Sequence, residues 1–449
     1  MITSDALRRG VSLVATLAAA ATACGDVAPL PPTGQIVLYV DTDAPVPPAP
    51  GESLGKDEPP PLFDRLRIEF FAPGEDEPCP GCTRDFALDA RALRERRASV
   101  GFVPRAGLTG YRARVRLYRA AGVAGPRPRS TLEHVLALPA VAAEGIVEVR
   151  TRVSVDDLGA PRGTLDQPID AERGRPDATA VATWPGAVVT PCRSDPEDGM
   201  ACVPGGAFWM GSLESEASES LVHLSPFAID ATEITVAAFR RSKLANGTDP
   251  STEVTRLCFY SPKDGVADTH PVNCISKDLA AAFCTARGAD LPTEAEHEYA
   301  SGGRRGVPFP WGTTPPACED AIFARGGGPD PGTPYFTSAQ GARACNRLGV
   351  GPAPVKRGAR DKVTFGGVDV FDLAGNLTEW AKDEGDPCWL GGGVQTNPSC
   401  TAPRPNTLHT RGGAWGDIPL SLAATQRTGV RSEPADGPNN VGFRCVRRD

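Results

Sequence analysis

Forty-nine glycines and 45 prolines stand among the 449 residues. With roughly a fifth of its positions breaking helices or turning the backbone, the chain is confined to short strands, turns and long surface loops, and a helix bundle is excluded. Hydrophobic residues make up 40% of the chain, enough for real cores. The length exceeds one ordinary domain, so two domains with linkers are expected. Forty-seven basic against 55 acidic residues give a net charge of −8, without a dense Lys/Arg run. Nucleic acid and anionic lipid therefore exert no general pull on it, and no nucleic-acid partner is expected.

Residues 1–23 read as a cleaved export signal. Arg8 and Arg9 form a short basic segment, and Val11 to Ala23 is an uncharged stretch of 13 residues. That is too short to cross a bilayer of about 30 Å as a helix. Small residues Ala21, Thr22 and Ala23 lead into Cys24, and this junction resembles the lipobox of bacterial lipoproteins, with Ala21 where Leu is more usual. The resemblance implies lipidation of Cys24, attachment to the membrane by the lipid anchor only, and, with Gly25 following, sorting to the outer membrane with a periplasmic or cell-surface face. Residues 24–33 then form a Pro-rich tether.

Apart from Cys24 there are twelve cysteines, an even set expected to pair as disulfides in an exported chain. Four pairs are close in sequence: Cys79 with Cys82, Cys192 with Cys202, Cys258 with Cys274, and Cys388 with Cys400. Spacing alone proves no connectivity. Cys79 and Cys82 also have C-x-x-C spacing, but a structural zinc site needs about four ligands and no second such pair or nearby His supplies them.

Residues 34–157 show short runs of period two. Arg65 to Phe70, Arg112 to Leu117 and Val147 to Val153 each alternate apolar with polar or charged side chains, as antiparallel strands over one core do. Gln35 to Val40 is more continuously apolar and reads as an inner strand. An all-β immunoglobulin-like sandwich is expected, its outward arginines forming a solvated face, followed by a linker over 158–190 rich in Pro, Asp and Arg. No catalytic constellation lies in this half.

Residues 191–449 carry the functional signal. Val203-Pro204-Gly205-Gly206-Ala207-Phe208-Trp209-Met210-Gly211 is followed by Phe227 to Thr235, then His270-Pro271-Val272-Asn273-Cys274, a helical stretch Asp278 to Arg287, and Leu291-Pro292-Thr293-Glu294-Ala295-Glu296-His297. Thr293 is a suitable N-cap for a short helix with acidic residues in its first turn. Phe309-Pro310-Trp311-Gly312, Asp372-Leu373-Ala374-Gly375-Asn376-Leu377-Thr378-Glu379-Trp380, Arg411-Gly412-Gly413-Ala414-Trp415 and Gly442-Phe443-Arg444-Cys445 complete the series. In order and content it resembles the sulfatase-modifying-factor family, whose type member is the formylglycine-generating enzyme. The resemblance implies an α+β, loop-rich, C-type-lectin-like fold with bound calcium.

For calcium, the resemblance points to Asp372, the backbone at Gly375 and Leu377, and Glu379. Such a set suits a hard cation that takes oxygen ligands. The family's other calcium site falls between Cys318 and Phe365, where no ligands align. The family also implies a bridge between Cys284 and Cys445, and elimination then leaves Cys318 with Cys345.

Catalysis is where the chain departs from the family. The enzyme oxidises a sulfatase cysteine to formylglycine with molecular oxygen and copper(I) held by two cysteines, six and eleven residues beyond the Arg of the Arg-Gly-Gly motif. Here those positions are Asp417 and Leu422, and no Cys lies between Cys400 and Cys445. Copper(I) prefers soft thiolates, so copper is not expected and no residue is assigned as catalytic. His297, beside Glu294, Glu296 and Glu298, reads as a surface or partly buried structural residue, and Arg431 and Arg444 as core or loop-bridging arginines. The reading is an exported lipoprotein whose family domain binds a protein, peptide or glycan partner, with Trp209, Trp311, Trp380, Trp389 and Trp415 as candidate contacts. The alternative is an oxidase forming formylglycine through a rearranged site that uses Cys388 or Cys400 as thiols.

Overall fold

The computed structural model describes residues 34–448 apart from 56–57, 123–130, 178, 194–195, 197–198, 212–218, 245–257, 327–342, 391, 402–406 and 432–438. The export signal, Cys24 and the tether lie outside the described residues, as does part of the loop between Cys318 and Phe365.

The first half builds two sheets. One runs in the order β4 (Ser99–Phe102), β1 (Gln35–Thr42), β7 (Ile146–Val153), β9 (Glu172–Arg173). The other runs β3 (Thr83–Ala87), β2 (Arg65–Phe71), β5 (Arg112–Tyr118), β6 (Leu132–Ala137), β8 (Ile169–Asp170). The alternation read in the sequence places Leu66, Ile68 and Phe70 of β2 and Ala113, Val115 and Leu117 of β5 in one core with Ile36 and Leu38 of β1 and Val149 and Val153 of β7. A short helix α1 (Ala90–Arg94), capped by Asp89, adds Leu93 to that core.

Three features differ from the sequence expectation. The pairs β1–β7 and β6–β8 are parallel rather than antiparallel. The connection from β1 to β7 is long enough for the crossover that parallel pairing needs. The arginines of β5 are not a solvated face: Arg116 pairs with Glu69 and Glu133 on the flanking strands, and buried Arg112 donates to the carbonyls of Leu165, Ala72 and Glu75. The segment 158–190, read as a linker, supplies β8 and β9 and buries Trp184, whose indole Nε1 donates to Asp156 Oδ1 at 2.9 Å. Its isolated apolar residues have no periodicity, so the pattern concealed their packing.

Among the described residues the second half is a mixed arrangement of small sheets, loops and three short α-helices. β10 (Met200–Val203), β13 (Phe227–Asp230) and β21 (Val446–Arg448) join with β13 central. β11 (Gly206–Met210) pairs with β12 (Ser220–Leu224), which meets β17 (Gln395–Thr396), and β14 (Lys362–Phe365) forms a hairpin with β15 (Val368–Phe371). A four-stranded sheet runs β19 (Arg427–Arg431), β18 (Thr407–Arg411), β16 (Thr378–Glu384), β20 (Val441–Gly442). The helices α2 (Val236–Ser242), α3 (Lys277–Ala286) and α4 (Glu294–Ser301) start at Thr235, Ser276 and Thr293, each of which caps its helix with its side-chain oxygen.

The two halves share packing. Ala207 and Leu221 enter the core of the first half, Trp209 Nε1 donates to Leu62 O at 2.8 Å, and Phe63 meets the Trp209 ring edge-on at 5.6 Å. Six disulfides join Cys79–Cys82, Cys192–Cys202, Cys258–Cys274, Cys284–Cys445, Cys318–Cys345 and Cys388–Cys400. Both sulfurs that zinc would need at 79 and 82 are thus committed to each other. The Cys284–Cys445 bridge ties α3 to the C-terminal strand across 161 residues.

Candidate functional site

The helix α4 is buried along its whole length although it reads EAEHEYAS. Thr293 Oγ1 accepts from Glu296 N, and Glu296 Oε2 accepts from Thr293 N at 2.7 Å, a reciprocal cap that fixes where the helix begins. Burying three glutamates is tolerable only if cations meet them. Glu294 Oε1 lies 3.2 Å from Arg411 Nε and 2.6 Å from Arg427 Nε, Glu298 Oε2 lies 2.9 Å from Arg411 Nη1, and Glu296 takes Arg448. Burial pulls Glu294 upward, but the two guanidiniums outweigh it and hold its carboxyl below the usual range. For Glu298 burial outweighs Arg411 alone, and its pKa is raised.

His297 is 1% exposed, which corrects the surface or partly buried placement expected for it. Its Nε2 lies 3.4 Å from Glu379 Oε2 without hydrogen-bond geometry. Burial holds the imidazole below its ordinary pKa, against the opposing pull of Glu379.

The loop Asp372–Glu379 brings the four sequence-assigned cation positions onto one short stretch. Asp372 and Asn376 adopt left-handed backbone at φ 55° and 63°. Gly375 has φ 126°, and a Cβ there would meet Ile322 O at 2.7 Å, so the close approach requires glycine. Two buried carboxylates brace the loop from its amide side. Asp361 Oδ1 accepts from Leu373 N and Ala374 N at 3.1 Å, and Glu233 accepts from Leu377 N at 2.9 Å and Asn376 Nδ2 at 2.7 Å. Asp372 Oδ2 accepts from Lys356 N at 2.7 Å.

Arg444 stands against this group. Its Nε lies 2.8 and 2.7 Å from the two oxygens of Glu379, Nη2 donates to the carbonyls of Phe371 and Asp372, and Nη1 to Asp230 O. Four buried carboxylates (Glu233, Asp361, Asp372 and Glu379) therefore face one guanidinium and the imidazole of His297. Burial, reinforced by neighbouring carboxylates, raises Glu233 and Asp361 well above the usual range. Asp372 is pushed up to about 6, chiefly by burial. The donor set is all oxygen, as a hard cation requires, and calcium there would share Glu379 with Arg444.

Glu233 and Asp361 were not singled out in the sequence. Glu233 lies inside the motif Phe227–Thr235, and a carboxylate within so apolar a run was the available signal. Asp361 had none, because its partners are backbone amides distant in the pattern.

Asp417 lies in the turn after the Arg411-Gly412-Gly413 run, and Leu422 ends the short 3-10 helix Pro419–Leu422 that follows. Asp417 Oδ2 accepts from Ala414 N at 2.9 Å and its own amide donates to Ala414 O, so the carboxylate closes a local turn. Leu422 is fully buried among Phe309, Phe323, Ala324, Cys345 and Ala374. Gly413 permits the approach: a Cβ there would meet Ser421 O at 2.7 Å. Trp380, Trp389 and Trp415 are buried, which removes them as surface contacts, and Trp209 is tied to Leu62. Trp311 is partly exposed, stacked on Phe309 at 5.1 Å in the cluster that holds Leu422, with the Arg360 guanidinium 6.0 Å above its ring.

A family model described as "Sulfatase-modifying factor enzyme 1-like domain" matches residues 186–449. The formylglycine-generating enzyme of Streptomyces coelicolor is 28% identical over 316 residues, covering 60% of this chain and 94% of that protein. The formylglycine-generating enzyme of Bos taurus is 27% identical over 329 residues, covering 62% and 80%. A Mus musculus protein named "Inactive C-alpha-formylglycine-generating enzyme 2" is 23% identical over 296 residues, covering 55% and 85%.

Proposed function

The chain belongs to the sulfatase-modifying factor enzyme 1-like family, and from that premise we propose that its family domain is a calcium-stabilised, non-catalytic binding scaffold. One observation carries the reading. At the two positions where the family's oxidase holds copper(I) on cysteines stand Asp417, closing a local turn, and Leu422, sealed in a hydrophobic cluster. Neither offers a thiolate, and a soft ligand pair is what copper(I) requires. Every cysteine among the described residues is bridged, Cys388 and Cys400 included, which opposes an oxidase rearranged around those two as free thiols. The family holds members named for catalysis and one named inactive at comparable identity, so membership by itself favours neither role.

Calcium is proposed at Asp372, Gly375, Leu377 and Glu379. Support comes from the excess of buried carboxylates over cations around that loop, which a divalent ion would balance. Calcium would supply structural cross-linking there. The partner is proposed to be a protein, peptide or glycan that stacks on the partly exposed Trp311, which is backed by buried Phe309 beside the sealed position of Leu422. The first half is proposed as an immunoglobulin-like spacer over 34–157. Its two sheets around one core favour this, while its parallel pairs mark a departure from that fold. The whole is proposed to be exported and anchored to the outer membrane by lipid at Cys24.

A thiol count on the unreduced mature chain under denaturing conditions, together with copper(I) titration of the native chain, tests the scaffold reading. The expected result is no free thiol, the sulfur of Cys24 being tied up in its thioether to lipid, and no copper(I) bound. Two free thiols with stoichiometric copper would overturn it.

A further inference from the structure

We propose that Cys388 and Cys400, once their bridge is opened by a dithiol reductant, form with Asp383 a three-ligand site for a zinc-class divalent cation. A carboxylate oxygen of Asp383 and the two sulfurs all lie within 4.8 Å of one another. Tetrahedral zinc with bonds of about 2.3 Å to sulfur spaces two thiolates by about 3.8 Å, so opening the bridge moves the sulfurs apart toward that distance. Two thiolates and one carboxylate suit a borderline-soft metal and leave a fourth position for water.

The bridge is placed for exchange. Of the twelve described cysteines, Cys388 alone falls in the exposed class, whereas Cys400 is 1% exposed. An incoming thiolate therefore attacks the Cys388 sulfur, forms a mixed disulfide with it and expels the Cys400 sulfur as a thiolate. Cys388 N points at that leaving sulfur at 2.9 Å, a donor that stabilises the thiolate as it forms. The second thiol of the reductant then frees Cys388, leaving the reductant oxidised and the protein with two thiols. Binding of the divalent ion displaces their two protons.

Asp383 is held in advance. Its Oδ1 accepts from Cys400 N at 2.6 Å and its Oδ2 from Glu294 N at 2.7 Å, which fixes the carboxylate and leaves each oxygen a further lone pair. Among the described residues this 1% exposed carboxylate forms no ion pair, and in the oxidised protein it faces a neutral disulfide. Three anionic groups so close require a cation once the thiolates form. The site is separate from the calcium loop and does not depend on the scaffold reading.

The test uses the full mature chain under native, anaerobic conditions with a phosphine reductant. Alkylation and peptide mass spectrometry identify the opened bridge, and cobalt(II) is the probe. The expected result is opening at Cys388–Cys400, one cobalt bound with thiolate charge-transfer absorption, and none in the oxidised chain. Cys388→Ser, at an exposed position, should abolish that absorption, and Asp383→Asn should weaken binding at least about tenfold. A bridge that stays closed, a reduced chain that binds no cobalt, or binding unchanged in Cys388→Ser would overturn the proposal.

Discussion

Arg444 grips both carboxylate oxygens of Glu379 with neither side chain reaching solvent, and so fastens the last strand of the chain to the loop that begins at Asp372. The same guanidinium donates to the carbonyls of Phe371 and Asp372, so its loss would orphan several buried acceptors at once. Removing one partner of such a pair leaves an uncompensated buried charge, and Arg444→Met should destabilise the chain by about 3–5 kcal/mol. The shift in urea midpoint measures this; a midpoint within error of wild type would contradict it.

Calcium removal should lower the thermal midpoint. Occupancy at 100 times the dissociation constant contributes about 2.7 kcal/mol, so the midpoint should rise with calcium concentration and fall with chelator. Asp372→Ala should abolish the response while Asp369→Ala, on the exposed hairpin, leaves it intact. A midpoint indifferent to chelator would remove calcium from the account.

Asp417 gives a pH dependence with a definite sign. Burial raises its carboxyl above the ordinary 3.8, with the Ala414 amide opposing, so the folded state holds this proton more tightly than the unfolded chain. Its contribution is fully present below 3.8 and is lost as pH rises through the raised folded value. Relative to Asp417→Asn, wild type should therefore lose stability as pH rises from 3.8 through the raised folded value, and the difference should become constant once that value is passed. Urea midpoints across that range, parallel for both proteins, would show that Asp417 carries no such linkage.

Much of the fold was legible because two kinds of signal survive in one dimension. Alternation in Arg65 to Phe70 and Arg112 to Leu117 gave β2 and β5, and Thr293 with Glu296 gave the start of α4. Long-range relations left no trace: the parallel partner of β1, the place of Trp184 and the braces Glu233 and Asp361 all depend on residues far apart in the chain. The cation positions Asp372 and Glu379 were readable as a motif. That Glu379 also answers Arg444 was not, because a core or loop-bridging arginine in a C-terminal motif does not name a partner 65 residues earlier in the chain.

Trp209 couples the halves through one hydrogen bond to Leu62 and a perpendicular ring contact with Phe63. Trp209→Ala should cost about 2–3 kcal/mol, less than the loss of a fully buried aromatic because the ring is only partly buried. It should also open the chain to limited proteolysis between the halves. A cleavage pattern and midpoint equal to wild type would mean that the two halves are joined elsewhere.

The central claim, that the family domain lacks the oxidase chemistry, is tested most directly by incubating the mature chain with copper(I), oxygen and a sulfatase-type cysteine peptide and following the peptide by mass spectrometry beside a working family enzyme. The account predicts that the cysteine survives unchanged while the control converts it. Conversion to formylglycine by this chain would contradict it and place a catalytic centre outside Asp417 and Leu422.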